Sequence, residues 1–191
     1  MPDVTRIVAG VARGRRLRVP AHGTRPTADR VREAVFNALT ARADLQGTRV
    51  LDLYAGSGAL GLEARSRGAA HVLLVESDAR AAAVAAANAE AVGLPGVQVR
   101  WAPVASVLAQ PCTVAYDLVL ADPPYALGED AVAGVLAALV NQGWVGDGSR
   151  VVLERATRAA HTRWPVGLEV GWRKHYGEAR VEIATCYRPP P

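Results

Sequence analysis

Between residues 49 and 154 the chain alternates between short, almost unbroken apolar runs and longer stretches whose apolar residues recur at helical spacing. Strands are predicted at 49–53, 71–76, 97–101, 117–121 and 150–154, and helices at 59–67, 78–92, 104–108 and 129–141. A strand that is apolar on both faces must be covered on both. Parallel neighbours also need a long crossover, which the intervening helices supply. The pattern therefore specifies an α/β domain with a mostly parallel sheet between two helical layers. At 191 residues, half of them hydrophobic, the chain is long enough for one such domain and too short for two. Two further runs, 168–172 and 180–187, alternate in polarity around His175-Tyr176-Gly177 and predict an antiparallel pair on one edge.

Open parallel sheets bind their ligands beyond the carboxyl ends of the strands, so the residues that follow each apolar run carry the functional information. After Tyr116-Asp117-Leu118-Val119-Leu120-Ala121 come Asp122-Pro123-Pro124-Tyr125. Pro124 has no N–H to donate and a fixed φ, which stiffens the turn and leaves the Pro123 carbonyl available as an acceptor. A carboxylate, a free carbonyl and a ring at one strand tip can hold a planar amine. The structural alternative is that Pro-Pro merely ends the strand and Tyr125 packs over it.

The exocyclic amine of a nucleobase is a weak nucleophile because its lone pair is delocalised into the ring. Hydrogen bonds to Asp122 and to the Pro123 carbonyl would favour localising that pair, and Tyr125 would stack on the base. Positioning then supplies most of the rate gain, and the proton leaves afterwards to Asp122 or to water. Such a base must be unstacked to enter the site. Methylation at carbon 5 of cytosine would instead need a cysteine nucleophile. Cys112 precedes the same strand and is therefore expected at the opposite end of the sheet.

The first run of the alternation ends in Asp52-Leu53-Tyr54-Ala55-Gly56-Ser57-Gly58-Ala59-Leu60-Gly61. Glycines let the backbone turn sharply beside a ligand that meets the following helix N-terminus. Gly56, Gly58 and Gly61 satisfy G-x-G-x-x-G, a pattern that by itself suits a dinucleotide. Glu76 closes the next run, where a carboxylate can accept from both hydroxyls of a ribose. NAD and S-adenosylmethionine both carry an adenosine ribose, so Glu76 does not choose between them. Asp52 before the glycines and the Asp-Pro-Pro-Tyr turn, for which hydride transfer has no use, favour S-adenosylmethionine. The cofactor-facing set is thus Asp52, Tyr54, Gly56, Gly58 and Glu76. Asp52 has an alternative as a brace for its own loop, and Glu76 with Ser77-Asp78 as a helix cap.

The charge of +4 is unevenly placed. Eight arginines stand among residues 1–33 against Asp3, Asp29 and Glu33, a balance of +5 that leaves −1 for the rest of the chain. Runs 6–10 and 15–19, joined by Val11-Ala12-Arg13-Gly14, predict a hairpin with basic edges, and Thr27 is expected to cap a helix carrying Val31, Ala34, Val35, Ala38 and Leu39. A cationic segment ahead of a neutral domain fits a polyanion such as a nucleic-acid backbone, with a solvated basic face as the alternative. The expected organisation is a basic hairpin arm at 1–23 and a catalytic domain at 24–191. Two cysteines form neither a disulfide framework nor a metal spacing, the four histidines show no ligand pattern, and no metal is expected. A reducing cytoplasm, no membrane and a monomer are the further expectations, since the first 20 residues lack a signal-peptide core and the alanine-rich stretch 79–92 is too short and polar to span a bilayer.

Four segments taken in order strongly resemble the RsmD family of bacterial 16S rRNA (guanine-N2)-methyltransferases: Arg6-Ile7-Val8-Ala9-Gly10 with Arg13-Gly14-Arg15; the stretch from Thr24-Arg25-Pro26-Thr27 to Phe36-Asn37; Asp52 to Ala64; and Asp122-Pro123-Pro124-Tyr125. The Thr-Arg-Pro-Thr segment is the specific part. The resemblance implies a Rossmann-like class I methyltransferase fold with a seven-stranded sheet, S-adenosylmethionine as cofactor, and a guanine of 16S rRNA, free or in an assembling small subunit, as substrate. It implies Asp122, Pro123 and Tyr125 as the catalytic turn, Arg25 and Thr27 beside the target nucleotide, and Arg13, Arg15 and Arg16 on RNA phosphates. Trp101-Ala102-Pro103-Val104 departs from the general methyltransferase pattern, in which an acid often meets the adenine amine at this place, so backbone groups or packing are expected to hold the adenine. A DNA amino-methyltransferase and a non-catalytic nucleic-acid-binding protein are the competing readings.

Overall fold

The computed structural model describes residues 4–20, 29–41 and 44–187. In chain order the elements are β1 (Val4–Arg6), β2 (Arg16–Arg18), α1 (Asp29–Thr40), β3 (Arg49–Leu53), α2 (Ala59–Ser66), β4 (His71–Glu76), α3 (Ala79–Val92), β5 (Val97–Trp101), α4 (Val104–Leu108), β6 (Tyr116–Ala121), α5 (Glu129–Asn141), β7 (Val145–Ala156), β8 (Leu168–Tyr176) and β9 (Ala179–Cys186). β3 to β9 form one seven-stranded sheet in the order β5-β4-β3-β6-β7-β9-β8, with β1 and β2 paired separately. The first five of these strands are parallel, and β9 and β8 add antiparallel neighbours beyond β7.

Strand parity builds the core. Leu51, Leu53, Leu73, Val75, Val119, Val151 and Leu153 are buried together with Val107, Leu108, Val132 and Leu136 of α4 and α5. Their alternates Val50, Val72, Leu74, Leu118, Leu120 and Val152 are buried with Phe36, Leu39, Ala64 and Ala85 of α1, α2 and α3. Successive strand side chains point to opposite faces, so every interior strand needs both helical layers. α3 is fixed at its ends: the Asp78 carboxylate accepts from Ala81 N–H at 2.8 Å, and Gly93 closes the helix at φ 67°. From β3 the chain first moves outward through β4 and β5, then returns to the other side through β6 and β7. Its direction reverses between β3 and β6, and the crevice lies there.

The main departures from the sequence expectation are at the hairpin, at β7 and at the sheet edge. The hairpin strands, expected at 6–10 and 15–19, are Val4–Arg6 and Arg16–Arg18, paired Val4↔Arg18 to Arg6↔Arg16. Residues 8–12 bond to α2 instead of across the hairpin: the Glu63 carboxylate accepts from Val8 and Ala9 N–H, the Ser66 hydroxyl from Ala12 N–H and the Ser66 carbonyl from Val11 N–H. Gly10 makes that approach possible, since a Cβ there would lie 1.9 Å from the Ser66 carbonyl oxygen. Ile7, Ala12 and Leu17 are buried against Leu62 and Val92, so the arm is packed onto α2 and α3.

β7 begins five residues before the expected 150. The Ser149 hydroxyl donates to the Tyr116 carbonyl at 2.7 Å and accepts from Gly146 N–H at 2.9 Å, bridging a shift in the β6–β7 register. At the sheet edge His175 and Tyr176, expected in a 175–177 turn, belong to β8, and the connection is Gly177-Glu178 alone, with Tyr176 paired to Ala179. Arg173, Lys174 and His175 lie exposed on an outermost strand, where polar residues protect the edge. The expected cap Thr27, with Arg25, lies outside the described residues.

Candidate active site

A cavity of about 700 Å³ opens above the carboxyl ends of β3, β4, β6 and β7. Strand register sets its floor. Leu53 pairs with Val75 on one side and Ala121 on the other, and Ala121 pairs with Leu153. The next residues along these chains, Glu76, Tyr54, Asp122 and Glu154, therefore form one row across four strands, and all four line the cavity.

At the Glu76 end the site is made of backbone held by carboxylates. Glu76 accepts from Gly56 N–H and from Asp78 N–H, both at 2.8 Å, and so ties the glycine loop to the start of α3. Gly56, Ser57, Ser77 and Asp78 complete that wall. Gly58 does not line the cavity. It sits at φ 79°, where a Cβ would lie 2.9 Å from Leu74, and makes the turn that delivers α2. Tyr54 lines the cavity at φ 61°, a left-handed conformation rare outside glycine. Burial pushes its phenol up to about 12, against the opposing pull of the Arg155 charge.

Asp52 is placed otherwise than expected. Its carboxyl is buried and accepts from Gly61 N–H at 2.8 Å, and it is not among the residues lining the cavity. Its side chain follows the parity of Val50, toward α2, so it braces the loop from below. Burial pushes its pKa up to about 8; the Gly61 hydrogen bond works against this, and the nearby charges of Asp122 and Glu76 add to it. Trp101 does not reach the cavity either. The residue is 68 % exposed, and its Nε1 donates to the Ser77 carbonyl at 3.0 Å.

At the other end the turn after β6 places Asp122, Pro123 and Tyr125 on the cavity wall. Among the described residues no N–H donates to the Pro123 carbonyl, while the Pro124 carbonyl accepts from Leu127 N–H at 2.8 Å. The loop after the turn is anchored from β7. Arg155 is buried, and its guanidinium donates to the Leu127 carbonyl at 3.3 and 3.4 Å and pairs with Glu129 at the start of α5. Tyr176 at the end of β8, Glu178 of the β8–β9 connection and Glu154 close the far side; burial pushes the Tyr176 phenol up. His175 is not part of the lining, and neither is Cys112, which belongs to the opposite end of the sheet.

The hairpin supplies another wall through Thr5 and Val19, with Arg13, Arg15 and Arg16 exposed on its outer surface. Arg15 donates to the Ala91 carbonyl at 2.7 Å. Arg32, counted among the basic residues of the amino-terminal segment, is only 1 % exposed and is structural: it donates to Thr5 Oγ1 and to the Arg6 carbonyl and lies 3.6 Å from Glu63. Its place in the cavity wall went unforeseen, as did those of Thr5, Glu154 and Glu178. Glu154 carried a signal, since it closes an apolar run as Glu76 does.

Comparison with known proteins agrees with this architecture. The family model described as "Conserved hypothetical protein 95" matches residues 5–185. Over 150 residues the chain is 38 % identical to the Escherichia coli K12 protein named "Ribosomal RNA small subunit methyltransferase D", covering 78 % of this chain and 73 % of that one. The solved structure of Escherichia coli yhhF superposes with a TM-score of 0.87 at 32 % identity, over 97 % of this chain and 99 % of the other. Magnesium protoporphyrin IX methyltransferase from Synechocystis PCC 6803, solved with bound SAM, shares the fold alone at 16 % identity, with a TM-score of 0.66 over 87 % and 86 % of the two chains. The architecture is that of the class I S-adenosylmethionine-dependent methyltransferases.

Proposed function

We propose, since the chain belongs to the ribosomal RNA small subunit methyltransferase D family, that it transfers a methyl group from S-adenosylmethionine to the exocyclic N2 amine of a guanine in 16S rRNA. Methylation of 16S rRNA follows from the family. The amine chemistry is carried by one observation, the Asp122 carboxylate and open Pro123 carbonyl lining the same cavity as Glu76. A cavity of about 700 Å³ has room for a nucleoside cofactor beside a base. The residues present also fit that cofactor: a cavity-lining carboxylate at the end of β4 suits a ribose, and a glycine turn feeds the amino end of α2.

When bound, S-adenosylmethionine supplies an electrophilic sulfonium methyl. Glu76, whose oxygens also hold Gly56 and Asp78, orients the ribose and keeps the loop closed around it. Asp122 and the Pro123 carbonyl each accept one N–H of the amine and so aim its lone pair. Tyr125, 42 % exposed at the mouth, stacks on the unstacked base. Asp122 or water takes the proton after transfer. Asp52 holds the loop from below, and Arg155 holds the turn from the side. The exposed hairpin arginines Arg13, Arg15 and Arg16 grip RNA phosphates, and the family resemblance assigns Arg25 and Thr27, outside the described residues, to recognition of the target nucleotide.

The test is incubation of the protein with labelled S-adenosylmethionine and either naked 16S rRNA or small-subunit particles, with duplex DNA as competitor. Nucleoside analysis is expected to show N2-methylguanosine from RNA alone. Label in DNA, or in a different nucleoside, would overturn the reading.

A further inference from the structure

Among the described residues the cavity is lined by five carboxyl side chains, Glu76, Asp78, Asp122, Glu154 and Glu178, and by one cation, Arg32, which is enclosed with Glu63. An RNA strand that puts a base into such an opening must carry phosphates past a rim that repels them, so cations outside the rim have to hold the strand. The hairpin supplies them on one side only. It is packed on α2 and α3, and α3 covers β4 and β5. A base turned out of its stack rotates about the backbone on both its flanks, so a grip on one flank leaves it free to swing.

The opposite edge of the sheet is β8, which runs in the direction of β7, since both are antiparallel to β9, and therefore ends at the cavity. Three arginines of these strands are committed: Arg155 to Glu129 and the Leu127 carbonyl, Arg173 to Glu182, and Arg180 to the Ala159 and Ala160 carbonyls. Lys174, the single lysine of the chain, is exposed and pairs with no carboxylate among the described residues. Its ammonium lies 5.3 Å from the centre of the Tyr176 ring, two residues on and on the same face of the strand. Tyr176 lines the cavity, and its hydroxyl makes no hydrogen bond among the described residues. A ring beside the ammonium holds it in place without neutralising it. Lys174 also stands in one row with Val181 and Glu154, and so with Asp122, three strands away or about 14 Å at the usual strand spacing. A nucleotide whose base edge is at Asp122, together with the lysine stem, bridges that gap.

We infer that Lys174 and the Tyr176 hydroxyl hold a backbone phosphate of the substrate RNA, a second grip across the cavity from the hairpin; this rests on 16S rRNA as the substrate. The ammonium and the phenol donate, and the phosphate oxygens accept. Burial pushes the Tyr176 phenol up, which keeps it a donor at neutral pH. The contact reads no sequence. It fixes the strand on the flank that the hairpin does not reach, and so limits the swing of the base between them.

Because the chain has one lysine, an amine-reactive N-hydroxysuccinimide ester reports on that side chain in the unaltered protein, with the amino terminus read on a separate peptide. Bound 16S rRNA is expected to slow acylation of Lys174 by about fivefold or more, and S-adenosylmethionine alone to leave it unchanged. Lys174→Gln is expected to weaken rRNA binding about fivefold and to lower the slope of log affinity against log salt by about 0.7, the share of one phosphate on a single strand. KM for rRNA rises with it, while kcat and calorimetric cofactor affinity hold. Lys174→Arg is expected to restore affinity and slope, and Tyr176→Phe to weaken binding about threefold at an unchanged slope. An acylation rate indifferent to RNA needs no variant to interpret and would overturn the inference. So would an unchanged slope in Lys174→Gln, or loss of cofactor affinity in it, which would mark Lys174 as structural. Protection of Lys174 without any N2-methylguanosine from the wild type is a different result: it would keep the grip and remove the guanine-N2 reading.

Discussion

The two ends of the cavity are built on opposite principles. At the Glu76 end, side chains shape backbone: Asp52 holds Gly61, Glu76 holds Gly56 and Asp78, and Asp78 in turn caps α3. The ligand meets a main-chain surface that few residues address directly. At the Asp122 end the backbone offers the Pro123 carbonyl, and the rest of the surface is side chains from β7, the turn after β6, and the β8–β9 connection. The first construction suits a ligand that never changes, such as a cofactor. The second can be retuned one residue at a time, as a substrate site must be.

That contrast can be broken by mutation, most severely at Asp122. Asp122→Ala is expected to lower turnover about 10³-fold while calorimetric cofactor affinity stays within a factor of about two. A matching loss of affinity would show that the two ends are one unit. Arg155→Met sharpens the contrast at the anchor of the turn. Without the guanidinium the loop at Leu127 loses its anchor, and a displacement of the turn by about 1 Å is expected to cost up to about 10²-fold in kcat with cofactor affinity retained. A rate restored by added guanidinium would separate positioning from folding.

Smaller effects are expected outside the cavity. Charge reversal at Arg15 and Arg16 together is expected to weaken rRNA binding about tenfold and to flatten its salt dependence, leaving cofactor affinity untouched. Unchanged affinity across a salt series would remove the hairpin from the RNA interface. The mildest test concerns Asp52, whose pKa is raised from 3.8 to about 8 by burial. Between those values the folded protein holds a proton that the unfolded chain has released. Stability is therefore expected to fall as pH rises through that window, by at most about 1.4 kcal/mol per pH unit, and to level off above it. Asp52→Asn keeps an acceptor for Gly61 N–H and is expected to flatten the slope in denaturant titrations. An identical slope in both proteins would place the titration elsewhere.

How much of this was legible beforehand follows from the same division. The glycine loop, Glu76 and the Asp-Pro-Pro-Tyr turn could be read because each is a local pattern closing an apolar run, and strand ends are where an open sheet puts its ligands. Asp52 was legible as important but not as to which way it faced, since only strand parity and burial turn it toward α2. Arg32 reads in sequence as one more cation of a basic segment, and only packing shows it enclosed with Glu63. Tyr176 and Glu178 meet the site because β8 and β9 fold back beside β7, a long-range pairing that no local pattern announces. His175 and Tyr176 read as part of a turn because the edge strand is polar there for a reason external to its own sequence.

Glu63 has a consequence that reaches beyond stability. With no exposure of its own, this one carboxylate holds the hairpin backbone at Val8 and Ala9 and meets both Arg32 and Arg67. The hairpin cannot swing independently of the wall it helps to form. Any strand gripped by its arginines is thereby presented to the cavity at a fixed offset, as a jig presents a workpiece to a drill. On the proposed RNA contact, the nucleotide that reaches Asp122 would be selected by its distance from the grip before a single base is read.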